Sequence, residues 1–67
     1  MQTMADVRRL LKRFGTIIYT GDRQGDIELM LDEVKELRQY GMIDKETYQK
    51  AMAVLLQQSS RFKTMEH

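Results

Sequence analysis

Apolar positions recur at helical spacing in three separate stretches of the chain, and each stretch is bounded by residues that start or stop helices. In the first, Met4, Val7, Leu10, Leu11 and Phe14 fall within an arc of about 120° when each residue advances 100°. Thr3 is the expected cap, its hydroxyl facing the free amides, with Asp6 three residues on near the positive end of the dipole. Gly15 should end this helix. The second stretch runs from a cap at Asp22 to Tyr40, with Ile27, Met30, Leu31, Val34 and Leu37 as its apolar stripe and Leu29 and Tyr40 off it.

The junction that follows is written by several independent signals. Gly41 suits the left-handed C′ position and places Met42 at C″ over Leu37 at C3, as in a Schellman motif. Asp44 then caps the third helix, and Ile43 before it and Tyr48 after it can form a hydrophobic staple. Helix three should carry Tyr48, Ala51, Met52, Leu55, Leu56 and Phe62 on one face before fading into a mobile polar tail from about residue 63. Three apolar stripes imply an all-α fold, a small three-helix bundle forming a single domain over residues 1–67. The expected core is Val7, Leu11, Phe14, Ile27, Val34, Leu37, Tyr48, Met52 and Leu55, with Ile17 or Ile18 closing one end.

Length limits how much such a core can do: a chain of 67 residues buries only about 60% of the surface its unfolded form exposes. There is no cysteine, so neither a disulfide nor a thiolate metal site can supplement the core, which favours a cytoplasmic setting. No apolar run approaches the roughly 20 residues needed to span a bilayer, and the N-terminus lacks a secretory apolar stretch. The absence of proline, with abundant Leu, Met, Lys, Arg, Gln and Glu, agrees with an all-helical chain.

Charge is distributed unevenly along these elements. Residues 1–25 carry five basic side chains against two acidic, a net of +3, whereas residues 26–46 carry three against seven, a net of −4. A total of +1 therefore hides a strong dipole, which can steer a polyanion or an acidic partner toward one end of the molecule.

Catalytic and metal chemistry find little support among the residue types. His67 is the one histidine and has no cysteine or second histidine to complete a zinc or nucleophilic site. Asp22, Gln24, Asp26 and Glu33 imitate positions 1, 3, 5 and 12 of a calcium loop, but Ile27 stands where that loop needs glycine and is required on the core stripe. Gly15, Gly21 and Gly25 match neither a Walker loop nor a dinucleotide fingerprint. Glu28, Asp32 and Glu36 read as a solvated helix face, since nothing separates their pKa values for acid and base roles. The expectation is a binding module with no enzymatic activity, cofactor or metal.

The run Gly15-Thr-Ile-Ile-Tyr-Thr-Gly-Asp-Arg23, with Asp26-Ile-Glu-Leu-Met30 and the Gly-Met-Ile-Asp44 turn, resembles the YqgQ-like family of short bacterial proteins over nearly the whole chain. The resemblance implies a compact three-helix fold in the bacterial cytoplasm, supplies no catalytic motif, and suggests a role in binding single-stranded nucleic acid. Gln24-Gly25 departs from it where a better helix former is expected, and should fray the start of helix two.

The residues themselves lead toward the same partner. Arg8, Arg9, Lys12 and Arg13 fill much of the arc opposite the helix-one core and can follow a phosphate backbone, and Arg23 can extend the patch beyond the linker. Tyr19, between Thr16 and Thr20 in that linker, is the aromatic placed to stack on a base of single-stranded RNA or DNA. Duplex readout fits less well, because an acidic helix two would meet the phosphates. Membrane binding would consume the apolar face that the core needs. The competing expectation is a protein-interaction adaptor or homo-oligomer, in which basic helix one meets an acidic helix two and Leu29 or Tyr40 adds apolar contact.

Overall fold

The structure, a computed structural model, describes residues 1–65, with side chains as far as Arg61. Its elements are α1 (Met4–Arg13), α2 (Arg23–Gln39) and α3 (Lys45–Met65). They form the small all-α three-helix bundle that the apolar stripes require. The expected burial of Phe62 and the polar tail from about residue 63 lie outside the residues whose side chains are described.

Local signals place the helix ends. Thr3 and Asp6 form a reciprocal capping box on α1: Asp6 N donates to Thr3 Oγ1 at 3.3 Å, and Thr3 N donates to Asp6 Oδ2 at 3.1 Å. Both α1 and α2 close in Schellman motifs. Thr16 N donates to the Leu11 carbonyl and Gly15 N to that of Lys12, each at 3.0 Å; Met42 N donates to Leu37 at 2.8 Å and Gly41 N to Arg38 at 3.1 Å. The two C′ positions sit at φ +81° and +71°, where an L side chain would meet its own carbonyl, so both are glycine. Met42 adds little burial to its motif, being 55% exposed.

Asp44 caps α3 by accepting from Thr47 N at 2.7 Å, with Ile43 buried before the cap and Tyr48 half-buried against the core after it. The start of α2 differs from expectation. Asp22 occupies the N-cap position, but its carboxylate makes no capping hydrogen bond. The helix nevertheless runs unbroken through Gly25. An added Cβ on Gly25 would stand 2.9 Å from Asp22 Oδ2, so glycine leaves room for that carboxylate to lie over the first turn.

The core is one cluster drawn from all three helices and the α2–α3 turn: Val7, Leu10 and Leu11; Met30, Val34 and Leu37; Ile43; Ala51, Val54 and Leu55. Ile27 is buried as well, and Phe14, Ile18, Tyr48 and Met52 pack around the cluster half-buried. α3 touches both other helices, and its pairing with α2 is the most extensive. One expectation needs correction. Leu56 is 53% exposed: the inward side is centred between Ala51 and Leu55, about 120° from Leu56 but only about 80° from Val54, which is buried instead. Of the two linker isoleucines, Ile18 closes the core while Ile17 stands 79% exposed.

Candidate nucleic-acid interface

The segment between α1 and α2 positions the candidate site. Burial alternates along it: Thr16 and Ile18 are half-buried, Ile17 and Tyr19 exposed. Tyr19 is 81% exposed, as its proposed stacking role requires. Three ties hold the strand that presents it. Thr16 Oγ1 donates to Glu33 Oε1 at 3.1 Å, Arg8 Nη1 donates to the Ile18 carbonyl at 2.8 Å, and Thr20 N donates to Asp26 Oδ1 at 2.8 Å.

Asp26 is the anchor of this arrangement, and the charge pattern conceals it. Counted by sequence among the acidic surface of helix two, it is only 4% exposed. The Thr20 hydroxyl donates to its Oδ1 at 2.6 Å, and the Arg8 guanidinium stands 3.7 Å from its Oδ2. Hydrogen bonds from the Thr20 hydroxyl and amide, with the Arg8 charge behind them, hold the carboxyl below the ordinary value of 3.8. A signal was present: Asp26 precedes Leu37 by eleven residues, about 20° from it in helical projection, on the inward side of α2.

The five basic candidates therefore differ in what they can do. Arg8 is committed to the linker and Asp26, with its side chain 41% exposed. Arg9 is 79% exposed and makes a single long contact of 4.0 Å with Asp6, a surface pair worth about 0–1 kcal/mol. Lys12 and Arg13 are exposed. Arg23 is exposed and shares with Arg8 a cleft of about 300 Å³ floored by Met4 and Ile27.

The bundle splits the helix-one face into two edges. Arg8 and Lys12 border a cleft of about 180 Å³ against Thr16, Ile17 and Ile18. Arg9 and Arg13 border an open groove of about 490 Å³ whose floor includes Leu10, Phe14 and Ile43, with Met42 at its side. Asp6 and Asp44 also line that groove. Both carboxyls are held below 3.8, Asp6 chiefly by the Gln2 and Thr3 amides and Asp44 chiefly by hydrogen bonds from Thr47, so each is occupied with capping its helix.

Two classes of chemistry can be compared with these surfaces. Among the described residues no three His, Cys, Asp or Glu side chains gather as metal ligands would. No helix among them is long and apolar enough to cross a membrane. What the surface offers is exposed cations on α1 and an exposed aromatic ring on the linker.

A relative from Bacillus subtilis (strain 168), the uncharacterized protein YqgQ, is 56% identical over 55 residues, which cover 82% of this chain and 78% of that protein. The YqgQ-like family model matches residues 1–61, spanning both Schellman turns, the braced linker and most of α3. The chain belongs to the YqgQ-like family.

Proposed function

We propose that this protein is a non-enzymatic module that binds single-stranded nucleic acid with little regard to sequence. Arg9, Lys12 and Arg13 follow the phosphates, Arg8 and Arg23 extend the track past the linker, and Tyr19 stacks on a base. The observation that carries this reading is Tyr19, 81% exposed on a segment fixed by three hydrogen bonds. An exposed aromatic ring on a tethered segment loses little freedom on stacking. Exposed Ile17, two residues before it, offers further apolar surface on the linker. A bacterial cytoplasmic setting belongs to the same proposal.

The test is a salt-dependent titration with single-stranded RNA, single-stranded DNA and duplex competitor. For single strands the logarithm of affinity falls with that of salt at a slope of about −0.7 per phosphate neutralised. Reversing Arg9 and Arg13 to Glu should abolish tight binding to every sequence and make the slope shallower by about 1.4 or more. Tyr19→Ala should lose roughly 1–3 kcal/mol at nearly unchanged slope. Absence of saturable binding at low salt, or equal binding by the charge-reversed protein, would reject the proposal.

A further inference from the structure

The outer surface of α2 is built unlike a purely solvated face. Leu29, Asp32, Glu36 and Tyr40 follow one another at intervals of three, four and four residues, which aligns them along one side of the helix. That side is opposite Met30, Val34 and Leu37, so the bundle leaves it open: Leu29 is 47% and Tyr40 72% exposed. Among the described residues neither Asp32 nor Glu36 forms an ion pair. Two unpaired carboxylates one turn apart thus lie between two uncovered apolar side chains.

The groove beside α1 presents the complement. Arg9 and Arg13 also stand one turn apart, both exposed, above a floor that includes Leu10 and Phe14. A helical turn of four residues rises about 6 Å on either element, so the two cations and the two carboxylates can meet in register. Asp6 and Asp44 on the groove wall stay ionised and oppose the incoming carboxylates, so the pairing depends on Arg9 and Arg13 lying nearer to them. The net of +3 over residues 1–25 and −4 over 26–46 adds long-range attraction of the same sense.

We infer that this groove receives α2 of a second copy of the chain, pairing Arg9 and Arg13 with Asp32 and Glu36 of that copy and covering Leu29 and Tyr40. A protein carrying both halves of a complementary surface meets its match in every other copy. The interface shares Arg9 and Arg13 with the proposed nucleic-acid track but uses the opposite charges of α2. Asp32 and Glu36 therefore separate the two readings.

The experiment is sedimentation velocity on nucleic-acid-free protein with two charge-reversed variants, Arg9→Glu with Arg13→Glu and Asp32→Lys with Glu36→Lys. Wild type should exceed the monomer mass at low salt and move toward it as salt shortens the screening length. Each variant alone should associate at least about 100-fold more weakly, because like charges then face each other. An equimolar mixture should regain assembly, since the acidic α1 of one then meets the basic α2 of the other. All four side chains are exposed, so folding should survive, as circular dichroism can verify; Asp32→Asn with Glu36→Gln serves if the reversal does not fold, and should weaken assembly too. The α2 variant should still bind single strands if the nucleic-acid reading holds. A wild type that stays monomeric up to about 1 mM, a range in which even weak contacts appear, an α2 variant that assembles like wild type, or a folded mixture that stays monomeric would overturn the inference.

Discussion

Adjacent leucines in α3 provide a sharp test of the packing. Leu55 is fully buried in the central cluster, whereas Leu56 is 53% exposed, although both lie on the apolar face expected from sequence. Leu55→Ala removes methylene contacts with both other helices and leaves a cavity that a small bundle can close only in part, costing about 2–5 kcal/mol. At about 0.05–0.15 kcal/mol per residue, a domain of this length has roughly 3–10 kcal/mol in total. The substitution should therefore lower the melting temperature by something like 10–30 °C, given about 4–8 °C per kcal/mol for a domain of this size, or leave the chain largely unfolded. Leu56→Ala leaves no cavity and introduces a better helix former, so its effect should stay within about 0.5 kcal/mol. Urea and thermal unfolding followed by far-ultraviolet circular dichroism measure both, with unchanged denaturant slopes confirming that only stability moved. If Leu56→Ala costs as much as Leu55→Ala, either α3 is rotated from the orientation described or Leu56 is covered in an assembly; dilution to the monomer distinguishes these.

The lowered carboxyls of Asp6, Asp26 and Asp44 mean that the unfolded chain takes up protons more readily than the folded one. Their stabilisation is complete above the unfolded value and is lost as pH falls through the lower folded values, so urea midpoints should drop as pH falls below about 5. Asp26→Asn should make that acid limb shallower, and an equally steep limb would contradict the account of its environment. Gly25→Ala should stabilise by about 0.5–1 kcal/mol, because the Asp22 carboxylate in its way makes no capping bond and can swing aside; a lower melting temperature would show that this carboxylate is held. Gly41→Ala should instead destabilise by about 1–2 kcal/mol, since its φ of +71° has no room for a side chain even though the surrounding space is open; a neutral result would mean the turn readily adopts another closure. Thr20→Val should remove the hydroxyl bond to Asp26 but keep the amide bond, loosening the linker end, seen as faster amide exchange at residues 17–20, and unchanged exchange there would mean that the hydroxyl adds nothing to the brace.

Local order was legible in the chain because short-range chemistry writes it. The Thr3–Asp6 box, the glycines at both helix ends and the Asp44 cap each depend on residues within a few positions of one another, and apolar spacing specified which side of each helix turns inward. Exposure of Leu29 and Tyr40 followed from the same spacing, whereas that of Tyr19, in the linker, did not. What depended on the third dimension was every question about which helix faces which. Leu56 and Val54 both border the Ala51–Leu55 side of α3, and where α1 and α2 lie decides that Val54 is covered and Leu56 is not. Ile17 and Ile18 are identical in type, and the path that the ties to Glu33, Arg8 and Asp26 impose on the linker decides which one enters the core. Asp26 looked like surface charge until Thr20 and Arg8, six and eighteen positions away, closed on it. The basic face of α1 is continuous in helical projection, but the linker on one side and the α2–α3 turn on the other divide it into two edges with different neighbours. Periodicity records how a residue is turned about its own helix axis, whereas burial and charge pairing depend on where the other axes lie, and those positions are set by packing the whole core at once.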